Sequence, residues 1–506
     1  MEASSSMRTR IILIGVISIA VLALLAVVFL PKLLKSNQVS SPAYWPTQRW
    51  RTSTPEQAGL DSVKLTEGLQ AIQKQNTQID NLMVIRNGAV LLDAAFEPYQ
   101  NANLHDLASV TKSFTTTLIG IAADQGKLKL DQPVLSFFPE HTIANRDARK
   151  ERMTVRDLVS MRNGFESGCL PGDIPTVQAM MDSPDWVQYA LDRKMVAEPG
   201  TQNCYDSPGM HLLSAILQKA TGMTELEFAR QNLFEPLGIH EYFWEADPQG
   251  VTRGWGDLHL KPADAAKLGY LWLSNGVWDG KQIVPKAWVK DSVKYTSDFG
   301  DGDGYGYGWW LWESGYGASG RAGQSIKVEP AMNVVVVTTG GGFDYETEVD
   351  PHLIPAVVDL TKPLPENPTG VAALEATLAE IAKPSAPGPV EALPETARAI
   401  TGKTYTFGQN AANIKTLGVD FNETAEAILR TQYDGSNEVI SSPIGLDGNY
   451  RATPEGTLAR GYWADEQTFI LERMDVGLIT FLIHFDADKV SIQAPELGVS
   501  FTGQVE

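Results

Sequence analysis

The stretch His105 to Leu128, HDLASVTKSFTTTLIGIAADQGKL, decides how the rest of the chain is read. Val110, Phe114, Leu118 and Ile121 or Ala122 fall at spacings of three and four, which predicts a helix that starts near Ser109 and stops before Gly126. Lys112 stands one turn after Ser109 on this otherwise apolar segment. Residues three apart share a helix face, so the hydroxyl and the amine converge. Ser109 also stands at the helix start, where unpaired N–H groups and the dipole favour developing negative charge. A hydroxyl is a weak nucleophile until a base takes its proton, and an adjacent amine is such a base. The competing reading is a lysine that snorkels beside an ordinary helix cap. A chance Ser-x-x-Lys is expected roughly once or twice in a chain of this length, so the pattern depends on its surroundings.

Those surroundings are globular. The 506 residues suggest two to four domains. The 41 basic and 61 acidic side chains give a formal charge of −20, which excludes an electrostatic footprint for nucleic acid. Residues 11–30, IILIGVISIAVLALLAVVFL, form an uncharged apolar run whose helical length matches a bilayer core. With no visible small-residue cleavage site, the run predicts an uncleaved transmembrane anchor rather than a signal peptide. Arg8 and Arg10 precede it and Lys32 and Lys35 follow, so the flanking charges do not fix its orientation. The two cysteines, Cys169 and Cys204, allow one disulfide outside the cytoplasm or two buried thiols, and no zinc set. The seven histidines form no metal motif, and no G-x-S-x-G elbow is present.

From about residue 42 to 361, helical periodicity alternates with short β-rich runs. In NLMVIRNGAVLLDAAF (81–96), Asn87-Gly88 between two apolar runs predicts a hairpin. SPGMHLLSAILQKATG (207–222) predicts a second helix, with proline at its start and glycine at its end. QSIKVEP and NVVVVTTGGG read as late strands. The order of elements predicts an α/β (α+β) fold, an antiparallel sheet flanked by helices with a helical insertion. The Pro/Ala/Glu-rich segment 362–397 reads as a linker. Residues 398–506 read as short strands of a small all-β barrel or sandwich. The expected organisation is therefore a tail and anchor (1–41), a main domain (42–361), the linker and the β-domain.

Several segments, in order and spacing, resemble the serine β-lactamase-like family. They are LASVTKSFTTTLIGIAADQGKLKLDQPVLSFFPE, MTVRDLVSMRNGF (153–165), EPGTQNCYDSPGMHLLSAILQKATG and LFEPLGI. The family takes in class C β-lactamases, D-alanyl-D-alanine carboxypeptidases, related esterases and 6-aminohexanoate-dimer hydrolases. The resemblance covers about residues 50–360, and the C-terminal β-domain resembles the lipocalin-like domains appended to some members.

The resemblance implies a β-lactamase/transpeptidase-like fold, with Ser109 as the acylated nucleophile and Lys112 as its proton partner. The family's Tyr-x-Asn motif falls on Tyr205-Asp206-Ser207, which makes Tyr205 the general base for acylation and the acid for the leaving group. Ser207 replaces the asparagine, and the amide's two-ended hydrogen bonding is lost. The third motif, Lys-Thr-Gly or His-x-Gly, matches Ala318-Ser319-Gly320, with Arg321 beside it and no basic residue in first place. The family's oxyanion hole uses the nucleophile's own N–H and one near Arg321. Neither a metal nor a cofactor is implied. The expected activity is acyl-enzyme hydrolysis of ester, amide, lactam or peptide carbonyls, with an esterase or small-amide hydrolase favoured over a true β-lactamase. The alternative is a penicillin-binding or sensor protein with slow or no turnover. Trp309, Trp310 and Trp312 are candidate cleft walls, core packing being the competing reading. An extracytoplasmic body completes the expectation, and Cys169 and Cys204, which both lie beside motif segments, are a disulfide pair or two buried thiols.

Overall fold

The computed structural model describes residues 44–166, 172–299, 304–410, 412–434, 436–495 and 499–505. Among these no helix is long and apolar enough to cross a membrane. The run 11–30 lies outside the described residues.

The hairpin read at Asn87-Gly88 joins strands Gln78–Arg86 and Ala89–Ala95. Both turn residues have positive φ (54° and 76°), as a two-residue turn matched to strand twist requires. These strands enter a nine-stranded sheet. Its order is Arg51–Thr52, Ala89–Ala95, Gln78–Arg86, Val334–Gly342, Ser325–Glu329, Tyr316–Ser319, Trp310–Leu311, Gly304–Tyr305 and Ser297–Asp298. All neighbours are antiparallel except the first pair.

Side chains alternate across a strand, so one strand serves two cores. Met83, Ile85, Ile326, Val328, Val335 and Val337 join the helical layer that contains Phe114 and Leu118. Leu82, Val84 and Val336 face a second cluster with Leu65, Leu69 and Ile72 of helix Ser62–Lys74. Full burial of each such side chain is worth about 1.5–3 kcal/mol.

Helix Thr111–Asp124 is buried nearly all round. Its hydroxyls are tolerated because they bond to backbone: Ser113 donates to the carbonyl of Gly308, Thr115 to Gly254, Thr116 to Tyr307 and Thr117 to Ser113, while Thr111 accepts the Leu258 N–H.

Part of the segment read as a linker is structural. Helix Pro368–Ile381, capped by Asn367, places Leu374 and Ile381 in the second cluster. Residues 383–394 then run without regular structure. Beyond them, ten strands from Tyr405–Phe407 to Val499–Val505 form one antiparallel sheet. A parallel pairing of Gly445, on one end strand, with Arg460, on the strand next to the other end, closes it, so the β-domain is a barrel rather than a sandwich. Tyr405, Phe421, Phe469 and Phe485 fill its core. The remaining cavity, among Leu417, Leu429 and Ile483, is about 60 Å3, well below ligand-pocket size. The barrel turn at Gly456 abuts the main domain. A Cβ on Gly456 would lie 2.6 Å from the Leu104 Cβ and 3.2 Å from the His259 ring.

Candidate active site

Strand His105–Asp106 pairs with Leu258–Leu260 and leads directly into Ser109. The Leu107 N–H donates to the Leu258 carbonyl, and the Asp106 carboxylate accepts the Ala108 N–H at 2.7 Å. Ala108 is held at φ 46°, a left-handed conformation that costs a non-glycine residue energy and persists only where neighbours impose it. Ser109 lies in a 3-10 turn, Ala108–Val110, and the α-helix begins two residues later than the spacing predicts.

The turn still brings Ser109 and Lys112 together. The Lys112 ammonium donates to the Ser109 hydroxyl at 2.8 Å and to the Trp255 carbonyl at 2.7 Å. Lys112 is only 1% exposed, whereas Ser109 is partly open to solvent. Trp255 is fixed by its loop: the Trp244 indole donates to the Arg253 and Gly256 carbonyls, and Arg253 is ion-paired with Glu245 and Asp257.

Tyr205 closes the third side. The Lys112 nitrogen lies 4.8 Å from its ring centroid, and the ring stacks on Trp310 at 6.1 Å and 21°. Its neighbour Asp206 is fully buried and takes both guanidinium nitrogens of Arg193, at 2.6 and 3.1 Å, and the Asn163 amide at 2.7 Å. This buried anchor sets where Tyr205 sits. Sequence reasoning missed its partners, although Asn163 falls inside the MRNGF segment.

Ser207 opens helix Ser207–Thr221. Both its N–H and its hydroxyl donate to Asp173, each at 2.7 Å. Burial raises the Asp173 carboxyl above its usual range, and Lys112 and the Ser207 bonds pull it back. A carboxylate within electrostatic reach of Lys112 therefore stands behind the position where the family carries an amide. Burial likewise pushes the Tyr305 phenol well above 10, with Tyr205 and Asp173 adding to the effect.

The third segment completes the enclosure. Ser319 ends strand Tyr316–Ser319 and is exposed. Gly320 packs against the serine turn: a Cβ there would lie 2.9 Å from both the Ser109 nitrogen and the Leu107 oxygen. Arg321 is paired with the buried Asp106 at 3.2 Å, so the cation beside the third segment is bound to the strand that carries Ser109. Of the three tryptophans, Trp309 is fully buried against Trp272 and belongs to the core. Trp310 and Trp312 line a groove that begins at Ser319. Cys204 is buried and disulfide-bonded, and Cys169 lies outside the described residues.

Ser109, Lys112, Tyr205 and the Gly320 backbone thus meet at one point. A hydroxyl held by a buried amine, beside a phenol and backbone amides, is suited to acyl transfer.

A model of the Beta-lactamase family matches residues 68–353. The β-lactamase of Escherichia coli (strain K12) is 26% identical over 181 residues, 34% of this chain and 45% of that protein. That of Pseudomonas fluorescens is 26% identical over 179 residues, 34% and 47% respectively. The chain spans about half the length of these curated relatives. Among solved structures, a Bacillus anthracis protein provisionally described as a 6-aminohexanoate-dimer hydrolase aligns with a TM-score of 0.50 at 19% identity. That alignment covers 67% of this chain and 88% of that one, a likeness of fold.

Proposed function

Because the chain belongs to the Beta-lactamase family, we propose that it is a serine hydrolase working through an acyl-enzyme. The observation that carries this reading is the 2.8 Å bond between the Lys112 amine and the Ser109 hydroxyl, beside Tyr205. Tyr205, as general base with Lys112 as its proton partner, takes the Ser109 proton as the oxygen attacks an ester or amide carbonyl. The Oγ–C bond forms, and the oxyanion is met by the Ser109 N–H and an N–H near Arg321. Tyr205 relays a proton to the leaving group as its bond to carbon breaks. Water then repeats the sequence to release the acid and free the serine.

The substrate we favour is an ester or small amide over a β-lactam. Penicillin-type recognition needs a cation for the carboxylate, and the third segment offers Ala318 in first place and an Arg321 already paired with Asp106. Ser207 is likewise committed to Asp173. The second reading is a penicillin-binding or sensor protein that acylates without turnover, and the partly open Ser109 is compatible with it.

Anchoring through residues 11–30, with an extracytoplasmic body, is part of the proposal. It is supported by the apolar run and by a disulfide at Cys204, which persists in oxidising compartments. The deciding experiment is the intact mass of the full chain in detergent after a fluorophosphonate, a nitrophenyl ester and a β-lactam, beside Ser109→Ala. Adducts present in wild type and absent in the variant support the activated serine, and sustained nitrophenol release separates enzyme from trap. No adduct from any reagent on folded protein refutes the hydrolase reading.

A further inference from the structure

Register pairs Gly317 with Lys327 and Ser319 with Ser325, on the sheet face opposite the buried Ala318 and Ile326. Along that face runs a groove of about 390 Å3 that starts at Ser319 and Gly320. Its walls are aromatic: Trp310, Trp312, Phe343 and Tyr345. Trp310 also stacks on Tyr205, so the groove is continuous with the candidate active site. Trp312 lies against bare backbone, since a Cβ on Gly317 would be 2.7 Å from its ring.

The far end of the groove already holds an ammonium. Lys327 lies 4.1 Å from the Tyr345 ring centroid and 5.2 Å from that of Trp312, and it is ion-paired with the exposed Glu346. Asp344 and Asp350 also face Lys327, and Glu329 faces Tyr345 and accepts the Trp312 indole N–H at 2.8 Å. Ring faces and surplus carboxylate attract cations. At the near end, Ala318 supplies no cation and Arg321 is held by Asp106.

We propose that this groove is the subsite for a substrate arm that ends in a positively charged amine, so that the enzyme prefers ammonium-bearing esters or amides over their carboxylate counterparts. The proposal rests on the hydrolase reading for its chemistry but not for its binding. The arm would lie on Trp310 and Trp312 and bring its charge to Glu346, sharing the ring faces with Lys327.

The test uses the full chain in detergent and three nitrophenyl hexanoates whose acyl chain ends in trimethylammonium, methyl or carboxylate. The expected kcat/KM is at least ten-fold higher for the ammonium ester than for the carboxylate ester, expressed mainly in KM. Glu346→Gln should lower that ratio at least three-fold, and Lys327→Met, which vacates the rings, should raise it. Neither should alter hydrolysis of nitrophenyl acetate, whose acyl group is too short to reach Lys327 and Glu346 at the far end of the groove. A wild-type ratio near one, or a ratio that neither substitution moves, overturns the proposal. Hexyltrimethylammonium and hexanoate, titrated by tryptophan fluorescence, separate the two ideas. If no ester is hydrolysed, the hydrolase reading fails, while ammonium binding moved in opposite directions by the two substitutions still sustains the subsite. Equal binding of the two probes removes it.

Discussion

Gly320 faces the amide nitrogen of Ser109 so closely that a Cβ on it would lie 2.9 Å away. Side-chain carbons do not sit at that distance from backbone, so the third segment can reach the serine turn only through glycine. Gly320→Ala should therefore push the two backbones apart. Loss of one aligned oxyanion donor costs on the order of 10²–10³ in rate. We expect kcat to fall by about that factor while thermal unfolding shifts little. An unchanged kcat would place the oxyanion elsewhere.

Lys112 tests the proton route. Lys112→Met should reduce kcat/KM by about 10²–10⁴, the usual worth of a positioned proton-transfer group. Lys112→Arg should not restore it, because a guanidinium cannot surrender a proton and its planar fork does not fit between Ser109 Oγ and the Trp255 carbonyl. Rescue by arginine would reduce the lysine to a fixed positive charge.

The Arg193–Asp206 pair is fully desolvated. Truncating one partner of such a pair strands the other charge and costs about 3–5 kcal/mol. Arg193→Met should therefore destabilise the main domain strongly, as followed by tryptophan fluorescence in urea, and should slow ester hydrolysis through Tyr205. The double variant Arg193→Met/Asp206→Leu should regain much of the stability but not the rate. Equal recovery of both would show that the pair does not place Tyr205.

Glu225 gives a pH signature. It is fully buried beside Gly254, on the loop that presents the Trp255 carbonyl. Burial pushes its carboxyl from 4.5 to about 7, partly offset by the hydroxyls of Ser214 and Thr115. The folded state therefore binds this proton more tightly than the unfolded chain does. The resulting stability is complete below about pH 4.5 and is lost as pH rises toward 7, about 3 kcal/mol in all. Glu225→Gln should abolish that slope and leave the variant more stable than wild type at pH 8. Parallel stability curves for the two proteins between pH 5 and 8 would contradict the assignment.

What was legible in the sequence was local. The Ser109–Lys112 convergence follows from helical geometry over one turn, and it survives even though Ser109 sits in a 3-10 turn before the helix. Asn87-Gly88 specified its own hairpin. The groups that lock the site were not legible, because they come from far along the chain. Trp255 is 143 residues from Lys112, Arg193 anchors Asp206 from another helix's end, and Asp106 finds its cation at Arg321. The tryptophan cluster shows the same limit at short range: Trp309 packs on Trp272 in the core while the next residue, Trp310, stacks on Tyr205. The proposed membrane anchor rests on the composition of residues 11–30 alone.

The barrel turn at Gly456 bears on His259, in strand Leu258–Leu260, and on Leu104, the residue just before its partner strand His105–Asp106, which leads to Ser109. Cutting the chain after the main domain would uncover that seam and leave the serine's supporting strands to water. Shortened versions made for screening or crystallisation should therefore be judged by turnover and not by yield alone. A library aimed at new substrates would do well to include the 453–457 turn, a handle on the catalytic strand that can be altered without touching the cleft.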